Sequence, residues 1–310
     1  MKLRLGTRRS PLALAQARLV SALLIDTRSC DAVEIVAQQT TGDRVVDRAL
    51  RDAGGKGLFV KELDEALADG RVDCAVHSLK DVPTELPDGI VIAAVPRRAE
   101  AHDVLISMAG WQLADMPEGT RLGTSSLRRS AQLAVARPDV DTVLLRGNVQ
   151  TRLRRVESGE IDATFLAAAG LARLGLDAAP ATAVAVDVAV MVPAPGQGAL
   201  AITSRADDEA VLDCLRAIDC PRSRCDVEAE RALASVMGGS CYLPLGANAV
   251  SVGGKMTLHA VVCSPDGSRV VRDGDSRAVR DGASARVFGE AVGRRMIGNG
   301  AEAILRELPS

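Results

Sequence analysis

The chain has 310 residues, 47% of them hydrophobic and 25% charged, with a formal net charge of −2. That length holds two or three domains around a sizeable core, and the balance is that of a globular enzyme. Its aromatics are Phe59, Phe165, Phe288, Trp111 and Tyr242. The core must therefore be aliphatic, and such sparse aromatics argue against a single-stranded nucleic-acid binder, which needs stacking platforms. Seven cysteines form no CxxC pair, which argues against a disulfide framework or a zinc site and fits a reducing compartment. No metal is expected. The N-terminal residues carry Arg8 and Arg9 where a secretory signal needs an apolar run, and the apolar stretch 183–192 is too short to span a bilayer. The expectation is a cytoplasmic protein with no membrane or nucleic-acid partner.

In chain order, Lys2 to Leu5 alternates like a strand, and Ser10-Pro11 supplies an N-cap and a first helical position. A strand is expected at 33–37, a long polar loop at 40–57, a helix at 58–68, and strands at 72–76 and 90–95. The charged stretch 96–102 reads as a crossover. After it, Leu122-Gly123-Thr124-Ser125-Ser126-Leu127-Arg128-Arg129 repeats the pattern of Leu5-Gly6-Thr7-Arg8-Arg9-Ser10, and an Ala-Gln pair follows in each (Ala15-Gln16, Ala131-Gln132). Two similar lobes are expected, each with a helix N-terminus at its site. Further strands are expected at 143–145, 163–167 and 199–203, and a helix at 207–218. The last unit reads as a helix to Val236, strands at 247–252, 256–263 and 269–273 joined by Gly253-Gly254 and Asp266-Gly267 turns, and a helix at 284–297. Strand–helix alternation followed by an antiparallel unit predicts an α/β protein with two lobes and a C-terminal α+β domain.

Four stretches carry candidate chemistry. Residues 121–155 hold eight arginines against Asp139 and Asp141, a net +6 inside a chain of −2. They read either as a solvated or RNA-binding face or as a carboxylate- or phosphate-binding cleft; their position at turns and helix starts favours the cleft. His77-Ser78-Leu79-Lys80-Asp81 follows a strand, where open α/β sheets place their sites. There a carboxylate can move a proton or hold a cation, an attraction of about 4 kcal/mol at about 4 Å. His77 reads as structural. Gly54-Gly55-Lys56-Gly57 lacks the spacing of a nucleotide P-loop, but it puts Lys56 on a glycine hinge with Phe59 able to cover a planar ring. Gly238-Gly239-Ser240-Cys241 turns sharply and presents Cys241, as a buried apolar residue or as a nucleophile.

Seven motifs in order give the chain a family resemblance: TRRSPLALAQ (7–16), GGKGLFVKEL (54–63), HSLKDVP (77–83), GTSSLRR (123–129), RGNVQTRL (146–153), PAPGQGAL (193–200) and the GGSCYLPLG loop. Over residues 3 to about 265 the chain resembles the porphobilinogen deaminase (hydroxymethylbilane synthase) family. The resemblance implies two lobes like type II periplasmic binding proteins, lobe 1 being 1–96 with 197–215 and lobe 2 being 102–191, and a C-terminal α+β domain at 219–310 with a small antiparallel sheet. It implies a monomeric transferase of tetrapyrrole synthesis that joins four porphobilinogen molecules head to tail on a dipyrromethane cofactor, releases ammonia, and hydrolyses off hydroxymethylbilane. By the same resemblance Cys241 holds the cofactor by a thioether, and Asp81 is the catalytic carboxylate that stabilises the azafulvene cation. Arg8, Ser10, Lys56, Ser78, Lys80, Thr124, Ser125, Ser126, Arg128, Arg129, Arg146 and Arg152 then bind cofactor, substrate and the growing polypyrrole, with Phe59 over a ring. Ser240 and Tyr242 flank the cysteine where many members of the family have Gly before it and Gln or Ser after it. The alternative class is a non-catalytic two-lobed solute-binding or sensor protein for small polycarboxylate anions.

Overall fold

A computed structural model describes residues 1–40, 60–176, 181–239 and 243–308. The chain divides into two compact units, Met1–Ala99 with Ala199–Arg224, and Glu100–Gly198 with Cys225–Ser310. The expected loop at 40–57 lies, beyond Thr40, outside the described residues, as do Lys56, Phe59 and Cys241.

The first unit starts with β1 (Lys2–Arg8), α1 (Pro11–Asp26) and β2 (Ala32–Gln38). Ser10 caps α1 by accepting the Ala13 N–H at 3.3 Å, with Pro11 in the first turn as its sequence predicts. Ala13, Ala17, Val20 and Leu24 put a buried stripe of α1 against the sheet. Next come α2 (Lys61–Ala68), β3 (Cys74–Ser78) and β4 (Ile90–Ala94). Strand β3 begins two residues later than the apolar run 72–76 implies, because Val72 packs with Leu63, Ala66 and Leu67 of α2. In the second unit follow β5 (Asp103–Ser107), β6 (Arg121–Thr124), α3 (Leu127–Ala136), β7 (Asp141–Leu144), α4 (Val149–Glu157), β8 (Ala163–Ala167), α5 (Ala168–Leu174) and β9 (Thr182–Ala185). The chain re-enters the first unit with β10 (Leu200–Arg205) and α6 (Glu209–Arg216).

Each unit holds one five-stranded mixed sheet, and the two orders correspond place for place: β2-β1-β3-β10-β4 and β7-β6-β8-β5-β9. In both, the first three strands are parallel and the fourth is antiparallel to its neighbours. That fourth strand is in each case the first one formed after the chain has crossed over. The repeat seen in the Gly-Thr motifs is thus a repeat of topology. Strand β5 was not expected from the sequence: all five of its residues are buried, so it lacks the alternation that marks a half-exposed strand. Strand β9 was missed as well, inside a stretch read only as apolar.

Helix α7 (Pro221–Val236) ends where the sequence predicts and leads to the C-terminal sheet of β11 (Leu245–Val252), β12 (Lys255–Cys263) and β13 (Val270–Ala278), antiparallel in sequence order. Gly253 and Gly254 both have positive φ at the first hairpin, as the Gly-Gly signal predicts. Edge strand β13 runs past the expected Asp273; its Arg272, Asp273, Asp275 and Arg277 are the charges that protect an edge. Helix α8 (Gly282–Met296), continued through a π-turn into α9 (Glu302–Arg306), packs Phe288, Val292 and Met296 with Leu233, Leu258 and Val262. The fold is α/β, with two sheet-built lobes and a C-terminal α+β domain.

Candidate functional site

In the first unit the candidate residues gather at the carboxyl ends of β1 and β3. A small, open pocket lies there, lined by Arg8, Ser10, Gln16, His77, Ser78 and Asp81 among others. The turn after β3 is a single 3-10 turn, Leu79–Asp81, with Leu79 buried as its anchor. The Leu79 N–H donates to Ala199 O at 3.0 Å and the Val82 N–H to Leu79 O at 3.0 Å, so the backbone carrying Lys80 and Asp81 is fixed from both sides. Asp81 is half-buried at the pocket wall and, among the described residues, makes no ion pair. It is placed to exchange protons or to face a cation. Gln16 donates from Nε2 to Ser78 Oγ at 2.8 Å and so ties α1 to the end of β3.

His77 is buried beneath this pocket, with Nε2 3.1 Å from Thr203 Oγ1. Burial, reinforced by the positive charge of Arg8, pushes its pKa down to about 4. It is neutral near pH 7 and bridges β3 to β10.

In the second unit the residues gather at the equivalent strand ends, after β6 and β7. Gly123, next to last in β6, sits where a Cβ would come within 2.7 Å of Ile161 Cδ1 and 2.9 Å of Leu145 Cβ. Thr124 Oγ1 accepts the Ser126 N–H at 3.1 Å, and Ser126 Oγ in turn caps α3 by accepting the Arg129 N–H at 3.4 Å. Ser125 between them is exposed. Asn148 caps α4 by accepting the Thr151 N–H at 2.8 Å. Two helix N-termini therefore stand beside the arginines, and their partial positive charge adds to the attraction for anions.

The arginines divide into two pairs. Arg128 and Arg129 are 4% and 6% exposed and share one carboxylate, that of the fully buried Asp103, at 2.7 Å each. Arg128 also donates to Val192 O at 2.8 Å and Arg129 to Phe165 O at 2.9 Å. Their terminal nitrogens are thus committed to the protein, while the buried Nε of each has no partner among the described residues. Arg146 and Arg152 are half-buried; the buried Nη1 of Arg146 has no partner among the described residues, and Arg152 Nε donates to Gly147 O at 3.0 Å. Burial, with Arg129 and Arg146 nearby, lowers the Arg152 pKa to about 10. The positive charges of Arg129 and Arg146 beside Arg152 mark a place where an anion is welcome.

The sequence did not mark out Asp103, Gln197 or Arg173. Gln197 donates to Asp103 Oδ1 at 2.9 Å and to Ala101 O at 2.7 Å. Arg173 donates to Gly198 O at 2.6 Å, and burial lowers its pKa to about 10. The Ala-Gln repeat did hold a signal whose role was not assigned: Gln132, equivalent to Gln16, donates to Val192 O at 3.0 Å and accepts the Val192 N–H at 2.8 Å.

Residues 3–213 match the family model described as "Porphobilinogen deaminase, dipyromethane cofactor binding domain", and residues 225–298 match "Porphobilinogen deaminase, C-terminal domain". The porphobilinogen deaminase of Caulobacter vibrioides (strain NA1000 / CB15N) is 45% identical, covering 98% of this chain and 97% of its own. That of Syntrophobacter fumaroxidans (strain DSM 10017 / MPOB) is 44% identical, covering 99% and 97%. A solved periplasmic binding protein of Salmonella typhimurium, described by its high arginine specificity, overlaps 70% of this chain and 91% of its own at 12% identity and a TM-score of 0.40.

Proposed function

The chain belongs to the porphobilinogen deaminase family, and from that premise we propose how its residues carry the reaction: four porphobilinogen molecules joined head to tail, ammonia released, and hydroxymethylbilane freed by hydrolysis. The observation that carries this reading is the family match across nearly the whole chain. Family membership does not favour the alternative of a non-catalytic solute-binding protein. The proposed domains are lobe 1 (1–96 with 197–215), lobe 2 (102–191) and the C-terminal domain (219–310), acting as a cytoplasmic monomer.

The donor set fits a carboxylate-rich dipyrromethane. Arg128 Nε, Arg129 Nε and Arg146 Nη1 are buried N–H donors without a partner among the described residues, and buried donors of this kind are costly unless something satisfies them. Once bound through Cys241, that group supplies the pyrrole carbon to which the first substrate is joined. Arg128, Arg129, Arg146 and Arg152, with Thr124, Ser125 and Ser126, hold carboxylates in the second unit. Arg8, Ser10, Lys56, Ser78 and Lys80 hold those nearer the reacting ring, and Phe59 covers it. Asp81 is the proposed catalytic residue: its carboxylate stabilises the positive charge that grows on porphobilinogen as ammonia leaves, and takes up the pyrrole proton.

Purified protein mixed with porphobilinogen tests the reading. The expected result is one ammonia released for each porphobilinogen consumed, with hydroxymethylbilane as the product. Recovery of porphobilinogen bound but chemically unchanged would instead support the solute-binding alternative.

A further inference from the structure

Asp103 is an odd residue to find where it is. It opens a strand whose other members are Val, Leu, Ile and a buried Ser, and it is completely shielded from solvent. A buried carboxylate is tolerated only when it is paired, and this one lies between two guanidiniums. Oδ2 takes Arg128 Nη2, and Oδ1 takes both Arg129 Nη2 and Gln197 Nε2. Each guanidinium has its other terminal nitrogen on a backbone carbonyl. Both forks are therefore held at two points, which fixes their planes and the direction of each unpartnered Nε–H.

We propose that Asp103 is the positioning and charge-balancing residue of the anion site: it locks Arg128 and Arg129 into one arrangement and offsets one of their two charges. The inference rests on the reading above, in which these arginines hold the carboxylates of the dipyrromethane. It adds a trade-off that the arginines alone do not contain. Two buried guanidiniums without a counter-charge repel each other and destabilise the empty protein; with one shared carboxylate the empty protein folds, and a single excess charge remains for the ligand. In the loaded protein the ligand's carboxylates supply the rest of the neutralisation. Asp103 therefore matters more to the empty protein than to the loaded one.

The test is a set of melting temperatures for cofactor-free and cofactor-loaded protein, with loading verified by mass. The wild type sets the reference gap between the two forms, since a ligand bound only by the folded state raises its melting point. In Asp103→Asn the cofactor-free form is expected to melt about 10 °C lower and the gap to widen by about 5 °C. An equal fall in both forms would overturn the proposal, because a purely structural residue is needed equally in each. In the double variant Asp103→Asn/Arg128→Met one guanidinium has gone with the carboxylate, and the cofactor-free form is expected to recover towards wild type. If Asp103→Asn alone does not fold, recovery of a folded double variant supports charge balance and its absence refutes it. Arg129→Met is the separate control: a gap that does not shrink there refutes the arginine–cofactor reading itself.

Discussion

The two lobes are built to the same plan and charged for different work. In both, a Gly-Thr strand end leads to a serine N-cap, the helix carries a buried glutamine six residues further on, and the fourth strand runs antiparallel. The candidate side chains in both stand at the carboxyl ends of the parallel strands. What differs is the chemistry there. The first lobe offers a pocket with one carboxylate, Asp81, above a neutral buried histidine. The second offers four arginines, two of them braced by Asp103. The scaffold fixes where the candidate side chains stand, while a handful of them decides which charge gathers there.

The sharpest way to break this division is at Asp81. Asp81→Asn removes the charge and keeps the shape, and is expected to lower kcat about 10³-fold, roughly 4 kcal/mol of transition-state stabilisation, with little change in melting temperature. A kcat within threefold of wild type would remove the first lobe's claim to the chemistry.

His77 sharpens the contrast through pH. Its folded pKa of about 4 lies below the ordinary 6.5, so the unfolded chain binds a proton in that window and the folded one does not. Its contribution is intact above pH 6.5 and is lost as pH falls from 6.5 towards 4, roughly 3 kcal/mol in all. A His77→Gln variant should show a flatter decline in melting temperature over that range; an unchanged slope would show that the histidine is not the group responsible.

In the second lobe, Arg152→Leu should raise KM for porphobilinogen or weaken cofactor retention about 10- to 100-fold, an effect that leaves kcat less affected than Asp81→Asn does. An equal loss in kcat with no change in KM would place Arg152 in the chemistry and blur the division. The smallest effects concern the paired glutamines. Gln132→Leu takes two hydrogen bonds from the buried Val192 backbone, whereas Gln16→Leu takes one from a half-buried serine. Denaturant unfolding should show losses of about 2–3 and about 1 kcal/mol respectively, in that order.

Most of the layout was legible because its signals sit at turns. Ser10-Pro11 and Gly253-Gly254 announce a cap and a hairpin by backbone chemistry alone, and the repeated Gly-Thr motif revealed the repeated topology. What stayed hidden was buried on every side. Strand β5 has no polar face to alternate, so neither the strand nor its Asp103 could be read from periodicity. Arg128 and Arg129 look the same in sequence as Arg146 and Arg152. Only the fold shows that the first two are braced against a carboxylate 25 and 26 residues earlier in the chain, while the second two are half-buried at the strand ends.

The central claim is that this chain grows a polypyrrole on a cysteine-linked cofactor, and the intact mass of the purified protein tests it most directly. Beside a Cys241→Ala variant, the natural protein should be heavier by two linked pyrroles and the variant should have its polypeptide mass alone. If both show only polypeptide mass, and neither gains mass after treatment with porphobilinogen, the account is contradicted at its foundation.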